Sequence, residues 1–438
     1  MLNAPLTLPL ELPDDLNGIF HFFPLALPPM NARPISLADR GNRDVADIAD
    51  QAVIRRASRK DATDDRALPP LSAAPVGAWR ALAERAIEPN GYYQADWELA
   101  VDASARGRTG ASLLSAAGDA GQLIGLLPVV PFRRIYRIPL PALVGAEPYG
   151  TLCTPLLDRD AAEQAVGQML QQARNAGAHA LILRTMSLDG PAMAAIRTVL
   201  ARDGLQPRLL STYQRAQLDA TGDADDLLRD ALGAKKLKEL RRQRHRLSDH
   251  GAVRFDVART PRAVAVALET FLALEAGGWK GQRGTALSQH PGDAAFIRRA
   301  TAAMAEAGCC EIITLHAGGT AVAAGIVVRH QDRAFFFKIG IDERFAKHSP
   351  GTQLTLELTR HLCADPAINS ADSTAAPGHP MIDPIWRSRF AIGDVLLPLR
   401  RRDPLVGAIH AALTLNNVAY EAARSTVRFI RSRRGKPG

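Results

Sequence analysis

The hydrophobic pattern of this chain becomes regular near residue 76. There VGAWRALAERAI sets Trp79, Leu82 and Ala86 near one helical face and stops at Pro89 and Gly91. YYQADWELAVDAS predicts a second short helix, and ASLLSAAGDAGQLIGLLPVVPFRR holds two strand-like runs around a GDAGQ turn. AAEQAVGQMLQQARNAGA reads as a helix ending at Gly177, HALILRTM as a buried strand, PAMAAIRTVLARDG as a helix, and the stretch near RLLSTYQRAQLDA as a strand. This alternation closes a first domain, residues 76–222.

The second domain, 223–400, repeats the grammar. DDLLRDAL and KKLKELRRQRHRL predict helices with Leu237, Leu240 and Leu247 on one seam, stopping at His250-Gly251. A strand at AVRFDVA and a helix at PRAVAVALETFLALEAGGW precede a polar loop. A helix around DAAFIRRATAAMAEAG then leads to three strands, CEIITLHA, TAVAAGIVVRH and RAFFFKIGI. The helix TQLTLELTRHLC and a short strand near INSADS complete the unit. The expected class is α/β (α+β), two tandem domains with mixed sheets flanked by helices, arisen by internal duplication.

Residues 1–75 carry LPLELP, FFPLALPP and the charged RRASRKDATDDRALPP, and read as a disordered extension. The 438 residues contain four cysteines, with no CxxC and no zinc spacing, so buried thiols in a reducing compartment are expected and no metal. No apolar run reaches the roughly 18–20 residues of a membrane span, and the N-terminus lacks a basic leader, so the expected location is cytoplasmic.

The formal charge of +9 is concentrated. Lys235, Lys236, Lys238, Arg241, Arg242, Arg244 and Arg246 against Glu239 and Asp249 give one helix a net +5. Eight basic residues against Asp403 and Glu421 give residues 401–438 a net +6. In the latter, Arg424, Arg428, Arg431 and Arg434 flank Ala419, Ala423, Val427 and Ile430 at helical spacing. That is either an amphipathic helix on an anionic membrane surface, peripheral to the inner membrane, or one packed on the body. The +5 helix could contact phosphates but lacks aromatic side chains to stack bases, which disfavours general nucleic-acid binding and leaves a solvated face or part of a surface facing a polyanion or tRNA.

The chemistry-bearing stretch is Gly318–Cys363. A hairpin feeds the loop DERFAKHSPG, which opens a helix at Thr352. Such a joint presents unpaired backbone N–H groups and a positive dipole end, suited to a pyrophosphate, with the alternative that Ser-Pro-Gly merely caps the helix. GxxxxGK[ST] and GxGxxG are absent, as are HExxH and GxSxG, so nucleotide hydrolysis, dinucleotide binding, a zinc protease and a hydrolase triad lack support.

The strings LEAGGWKGQRGTAL, AAGIVVRHQDRAFFFKIGIDERFAKHSPGTQL and DSTAAPGHPMIDPIWRSRF resemble GNAT-superfamily acyltransferases of the cellulose-biosynthesis CelD type, relatives of the Fem aminoacyl ligases. AWRALAERAIEPNGYY and PYGTLCTPLLD resemble their N-terminal half. The resemblance spans roughly 76–400 and implies tandem GNAT-like domains with the acyl-donor site in the second. It implies transfer of an acetyl or other acyl group from acyl-CoA to an amine of a small molecule or saccharide, such as an amino sugar of an exopolysaccharide or cellulose-related precursor. Ser349, Pro350, Gly351 and Thr352 would then form the phosphate-facing turn, with Arg344 and Lys347 adding charge. The longer glycine loop of single-domain GNAT enzymes is missing, which leaves aminoacyl-tRNA as an alternative donor and a non-catalytic accessory role as a third reading.

Acyl transfer to an amine needs a proton acceptor and an oxyanion donor. Backbone N–H groups along 335–341 are candidates for the second. For the first the motifs supply Glu275, Asp342, Glu343, Asp372 and Asp383. Asp342 and Glu343 have the alternative of capping a loop, and Lys338 that of pairing with one of them. Trp279, Lys280, Lys338 and Asp383 are candidate substrate contacts, Trp279 alternatively covering the core.

Overall fold

The computed structural model describes residues 67–434, and their side chains as far as residue 419. The expectations for residues 1–66 and for the arginines of the last helix fall outside these. Residues 67–75 run beside the first strand: Leu71 is buried, its N–H donates to Ala111 O at 2.9 Å, and Pro70 bridges Ser112.

Among the described residues twelve strands form one sheet. They are β1 Ser112–Ala117, β2 Leu123–Pro131, β3 Ala142–Gly145, β4 Leu156–Leu157, β5 Ala180–Ser187 and β6 Arg208–Asp219, then β7 Val253–Ala258, β8 Cys310–Ala317, β9 Thr320–His330, β10 Arg333–Ile341, β11 Ser370–Asp372 and β12 Ser388–Pro398. Their order is β1-β2-β3-β5-β12-β6-β11-β10-β9-β8-β7, with β4 attached to β2. The mixed sheet flanked by helices agrees with the expected class.

The same pairing order recurs in the two halves. In the first half antiparallel β1-β2-β3 leads through helix Ala162–Asn175 to β5, parallel to β3. In the second, antiparallel β8-β9-β10 leads through helix Pro350–Cys363 to β11, parallel to β10. The halves then exchange their last strands. β12, from the second, pairs with β5; β6, from the first, pairs with β11; and β6 and β12 pair with each other from Ser388↔Gln217 to Leu396↔Arg208. The strand patterning reveals every member of this sheet except β3, β4 and β12. Yet β12 carries the near-continuous apolar run of a strand buried on both faces, and it lies at the centre.

Helix Ala224–Leu247 contains the two segments read from the sequence, separated by Gly233 at φ 72°, ψ 161°, outside helical space. Leu237, Leu240 and Leu247 are all buried, against Leu354 and Trp386 on one face of the second half. The opposite face, under helices Pro261–Gly277 and Pro291–Glu306, is shared between the halves. Here Tyr92 and Trp97 pack with Phe296, Phe335 and Phe337, the Trp97 and Phe337 rings meeting edge to face at 4.9 Å. This seam of aromatic side chains, each contributing roughly 1.5–3 kcal/mol by burial, joins the two halves.

Candidate functional site

The parallel pair β10 and β11 stays in register only from Arg333↔Ser370 to Phe335↔Asp372. Beyond Phe335 no strand among the described residues pairs with this edge of β10. The vertex of the resulting gap is built from Asp372. Its Oδ1 accepts the Thr374 N–H at 2.8 Å, and its Oδ2 pairs with Arg215, both side chains being fully buried. Arg215 also donates to Thr151 O at 2.7 Å and Oγ1 at 2.9 Å. Thr374, at φ 53°, turns the chain aside and donates its hydroxyl to Phe336 O at 2.6 Å. Past β3, by contrast, the chain fills the equivalent place in the first half: Tyr93 donates to Ala146 O at 2.7 Å and Cys153 N–H to Thr185 O at 3.3 Å.

At the far end of the gap, β10 runs through the turn Glu343–His348 into helix Pro350–Cys363. Ser349 adopts a left-handed φ of 53° and Pro350 occupies the first helical turn, where its missing N–H costs nothing. Gly351 is buried, and a Cβ there would stand 2.9 Å from Met381 Sδ, so glycine keeps the helix start close to the loop after β11. Lys347 is exposed. Arg344 is exposed and paired with Asp342 at 2.6 Å. Hydrogen bonding from Arg344 also holds the Asp342 carboxyl below its ordinary range, and Asp342 caps the turn by accepting the Arg344 N–H. Glu343 accepts the Trp279 N–H at 2.7 Å.

The structure brings together Glu275, Lys280 and Lys338. β10 carries a bulge at Phe337, between the pairs Phe336↔Val327 and Lys338↔Ile326. As a result Phe337 and Lys338 both reach the aromatic seam, with Lys338 Nζ 5.8 Å from the Tyr149 ring centroid. Gly340 lets helix Pro261–Gly277 approach closely, since a Cβ there would meet Glu275 N at 2.9 Å. Glu275 is therefore buried over the strand, accepting from Lys280 Nζ at 3.1 Å and from Leu287 N–H at 2.9 Å, with Lys338 Nζ at 3.7 Å. Lys280 also donates to Ile339 O at 3.0 Å. Burial pushes the Lys338 ammonium down to about 8, opposed by the charge of Glu275. Burial raises Glu275, but Lys338 and Lys280 outweigh it and leave its carboxyl below the ordinary value.

Asp372 lies apart from this trio, at the vertex, and Asp383 lies in the loop after β11, accepting the Gly378 N–H at 2.8 Å. Trp279 stands at the rim with the Arg283 guanidinium 4.7 Å from its ring centroid. Sequence reasoning missed Tyr149, Asp293, Arg108 and Arg215. Tyr149 donates to Asp293 Oδ2 at 3.0 Å and lies under Arg108 at 4.3 Å. Their only sequence signal was Tyr149 within PYGTLCTP; the partners come from distant segments.

An open strand edge leading to a helix N-terminus, with a buried polar recess beside it, accords with what the sequence matches. The profile of the acetyltransferase (GNAT) domain matches residues 234–375. These residues form a GNAT acetyltransferase domain. The enzyme class is acyltransferase, with a donor that GNAT domains take as acyl-CoA. No curated protein matches the sequence. Among solved structures, FemX is similar over 77% of this chain and 98% of its own, at a TM-score of 0.51 and 10% identity, a likeness of fold. L-PGS from Bacillus licheniformis covers 76% of this chain and 98% of its own at TM-score 0.41 and 12% identity. A tandem GNAT protein from the clavulanic acid biosynthesis pathway covers 77% and 99% at TM-score 0.37 and 16% identity. No helix among the described residues is long and apolar enough to cross a membrane, and no group of His, Cys, Asp or Glu among them is placed to hold a metal ion.

Proposed function

We propose that this protein transfers an acyl group from a coenzyme A thioester to an amine in the gap between β10 and β11 of its second half. The observation that carries the reading is the parting of these strands past Phe335↔Asp372, over the N-terminus of helix Pro350–Cys363. The pyrophosphate would sit on the turn Ser349–Thr352, where the first N–H groups of the helix lack intrahelical partners. The pantetheine arm would run along the open edge of β10, and backbone N–H groups of 336–341 would face the thioester oxygen. In the first half the equivalent gap holds the protein's own chain, which supports a single donor site.

The acceptor amine would enter from the recess of Lys338, Glu275, Lys280 and Tyr149. Its nitrogen attacks the thioester carbonyl, the C–N bond forms, the C–S bond breaks, and the ammonium proton passes to a base. Lys338, neutral above about pH 8, is the group in that recess with a proton affinity suited to the task. Asp372, Asp342 and Glu343 are engaged in the vertex, the turn and the cap of Trp279. The division into domains 76–222 and 223–400 and an amino-sugar or exopolysaccharide acceptor form part of the proposal, resting on the sequence resemblance. So does peripheral membrane contact by the last helix, which rests on its basic patterning.

A second reading takes aminoacyl-tRNA as donor, favoured by the exposed face of Lys235, Lys236, Lys238, Arg241 and Arg242. Isothermal titration with acetyl-CoA and with charged tRNA separates the two. Binding of the thioester supports the first; binding of tRNA alone replaces it with the second.

A further inference from the structure

The turn before helix Pro350–Cys363 holds a buried side chain that the proposed function does not use. His348 is 3% exposed, and neither ring nitrogen has a hydrogen-bond partner. It directly precedes Ser349, the N-cap of the helix. Burying a polar ring without partners is costly, so its place beside a helix N-terminus calls for a ligand that supplies them.

The surroundings specify the ligand's charge. Helix Ala224–Leu247 packs on this turn and on helix Pro350–Cys363, anchored by Gln353 donating to Leu240 O at 2.8 Å and by Arg244 paired with Glu357 at 2.9 Å. Its end delivers Arg246, and the following residues deliver Asp249 and His250, whose ring meets that of His348 at 5.6 Å. The turn itself adds Lys347. Burial, then the positive charges of Lys347, His250 and Arg246, hold the His348 imidazole below the ordinary histidine range; Asp249 alone opposes them. The first helical turn contributes Gly351, Thr352 and Gln353, none charged. Arg246, His250 and Lys347 are exposed, and no carboxylate among the described residues pairs with Arg246 or Lys347.

We propose that this cluster binds a second phosphate of the donor, the 3′-phosphomonoester of coenzyme A, and that the bound phosphate draws a proton onto His348. The inference rests on the coenzyme A reading above. The helix N-terminus serves the pyrophosphate, while a phosphomonoester, with a second ionisation near pH 6, is the group whose charge matches a titrating histidine among cations. An arriving dianion reverses the local repulsion, so the imidazole takes up a proton and donates to a phosphate oxygen.

Isothermal titration of the full chain with coenzyme A and with 3′-dephospho-coenzyme A tests this. At about pH 6 the 3′-phosphate is expected to tighten binding about tenfold or more, with the advantage shrinking by about pH 8. The heat of coenzyme A binding should vary with buffer ionisation enthalpy in the sense of proton uptake. Arg246→Ala and Lys347→Ala, both at exposed positions, should narrow the gap between the two nucleotides without changing the melting temperature. Equal affinities for the two nucleotides would overturn this inference and leave the donor site standing, as would an unchanged gap in both variants. Failure of both nucleotides to bind would remove the donor reading itself.

Discussion

Phe335 and Asp372 are the last residues at which β10 and β11 face each other as partners, and the Asp372 carboxylate is the wedge that ends their pairing. One of its oxygens holds the turn at Thr374 and the other holds Arg215, which reaches across from β6, a strand of the first half. The exchange of strands between the halves thus anchors the vertex of the proposed donor gap.

Breaking this pair is expected to be costly, because the surviving partner would be a buried unpaired charge. Arg215→Met should lower unfolding stability by about 3–5 kcal/mol in urea titrations, and the double variant Arg215→Met, Asp372→Leu should cost less than Arg215→Met alone. If the double variant loses more than the single, the vertex depends on the hydrogen bonds of Asp372 rather than on charge balance.

Lys338 carries a pH signature. Its folded value of about 8 lies below the value near 10.4 of an unfolded lysine, so the penalty for burying its charge is full below about pH 8 and disappears as pH rises past about 10.4. Lys338→Met should therefore raise the melting temperature at neutral pH, with the gain fading above about pH 10.4, while turnover of acyl-CoA is lost. Thermal melts at both pH values check the first part. Glu275→Gln removes the opposing charge and should move the alkaline rise of activity to lower pH.

Gly351 offers a direct probe of the turn. Gly351→Asp adds a side chain against Met381 and a negative charge at the helix start, and should weaken coenzyme A by at least about tenfold. Gly351→Ala crowds the flexible Met381 side chain and meets Ile341 and Ile339 at ordinary contact distance, and should weaken it much less. Unchanged affinity in the aspartate variant would move the phosphate site elsewhere.

Glu311 should govern acid stability. Burial raises its carboxyl, but the hydrogen bond from His361 and the charges of His361, Arg329 and Arg259 bring it down to about 2. Depressed below its unfolded value near 4.3, it contributes about 3 kcal/mol that is present above that pH and lost as pH falls toward 2. Glu311→Gln should unfold more easily at pH 6 and show a weaker loss of stability between about pH 4 and 2, as measured by denaturant titration.

The chain's own pattern determined most elements of both halves and the turn proposed to take the donor. Apolar spacing produces Leu237, Leu240 and Leu247 as one buried seam, and Ser-Pro-Gly after β10 opens a helix, because both are local consequences of helix geometry and backbone hydrogen bonding. The same reading could name Glu275, Lys280 and Lys338 without joining them. Their meeting depends on the Phe337 bulge, which re-aims Lys338, and on Gly340, which admits helix Pro261–Gly277 against the strand. Strand exchange was equally hidden: FAIGDVLLPL shows that β12 is buried, but apolar alternation does not distinguish β5 from β11 as its neighbour. Only tertiary packing selects among such equivalent edges, since the choice rests on contacts between residues more than a hundred positions apart, such as Arg215 and Asp372, |i−j| = 157.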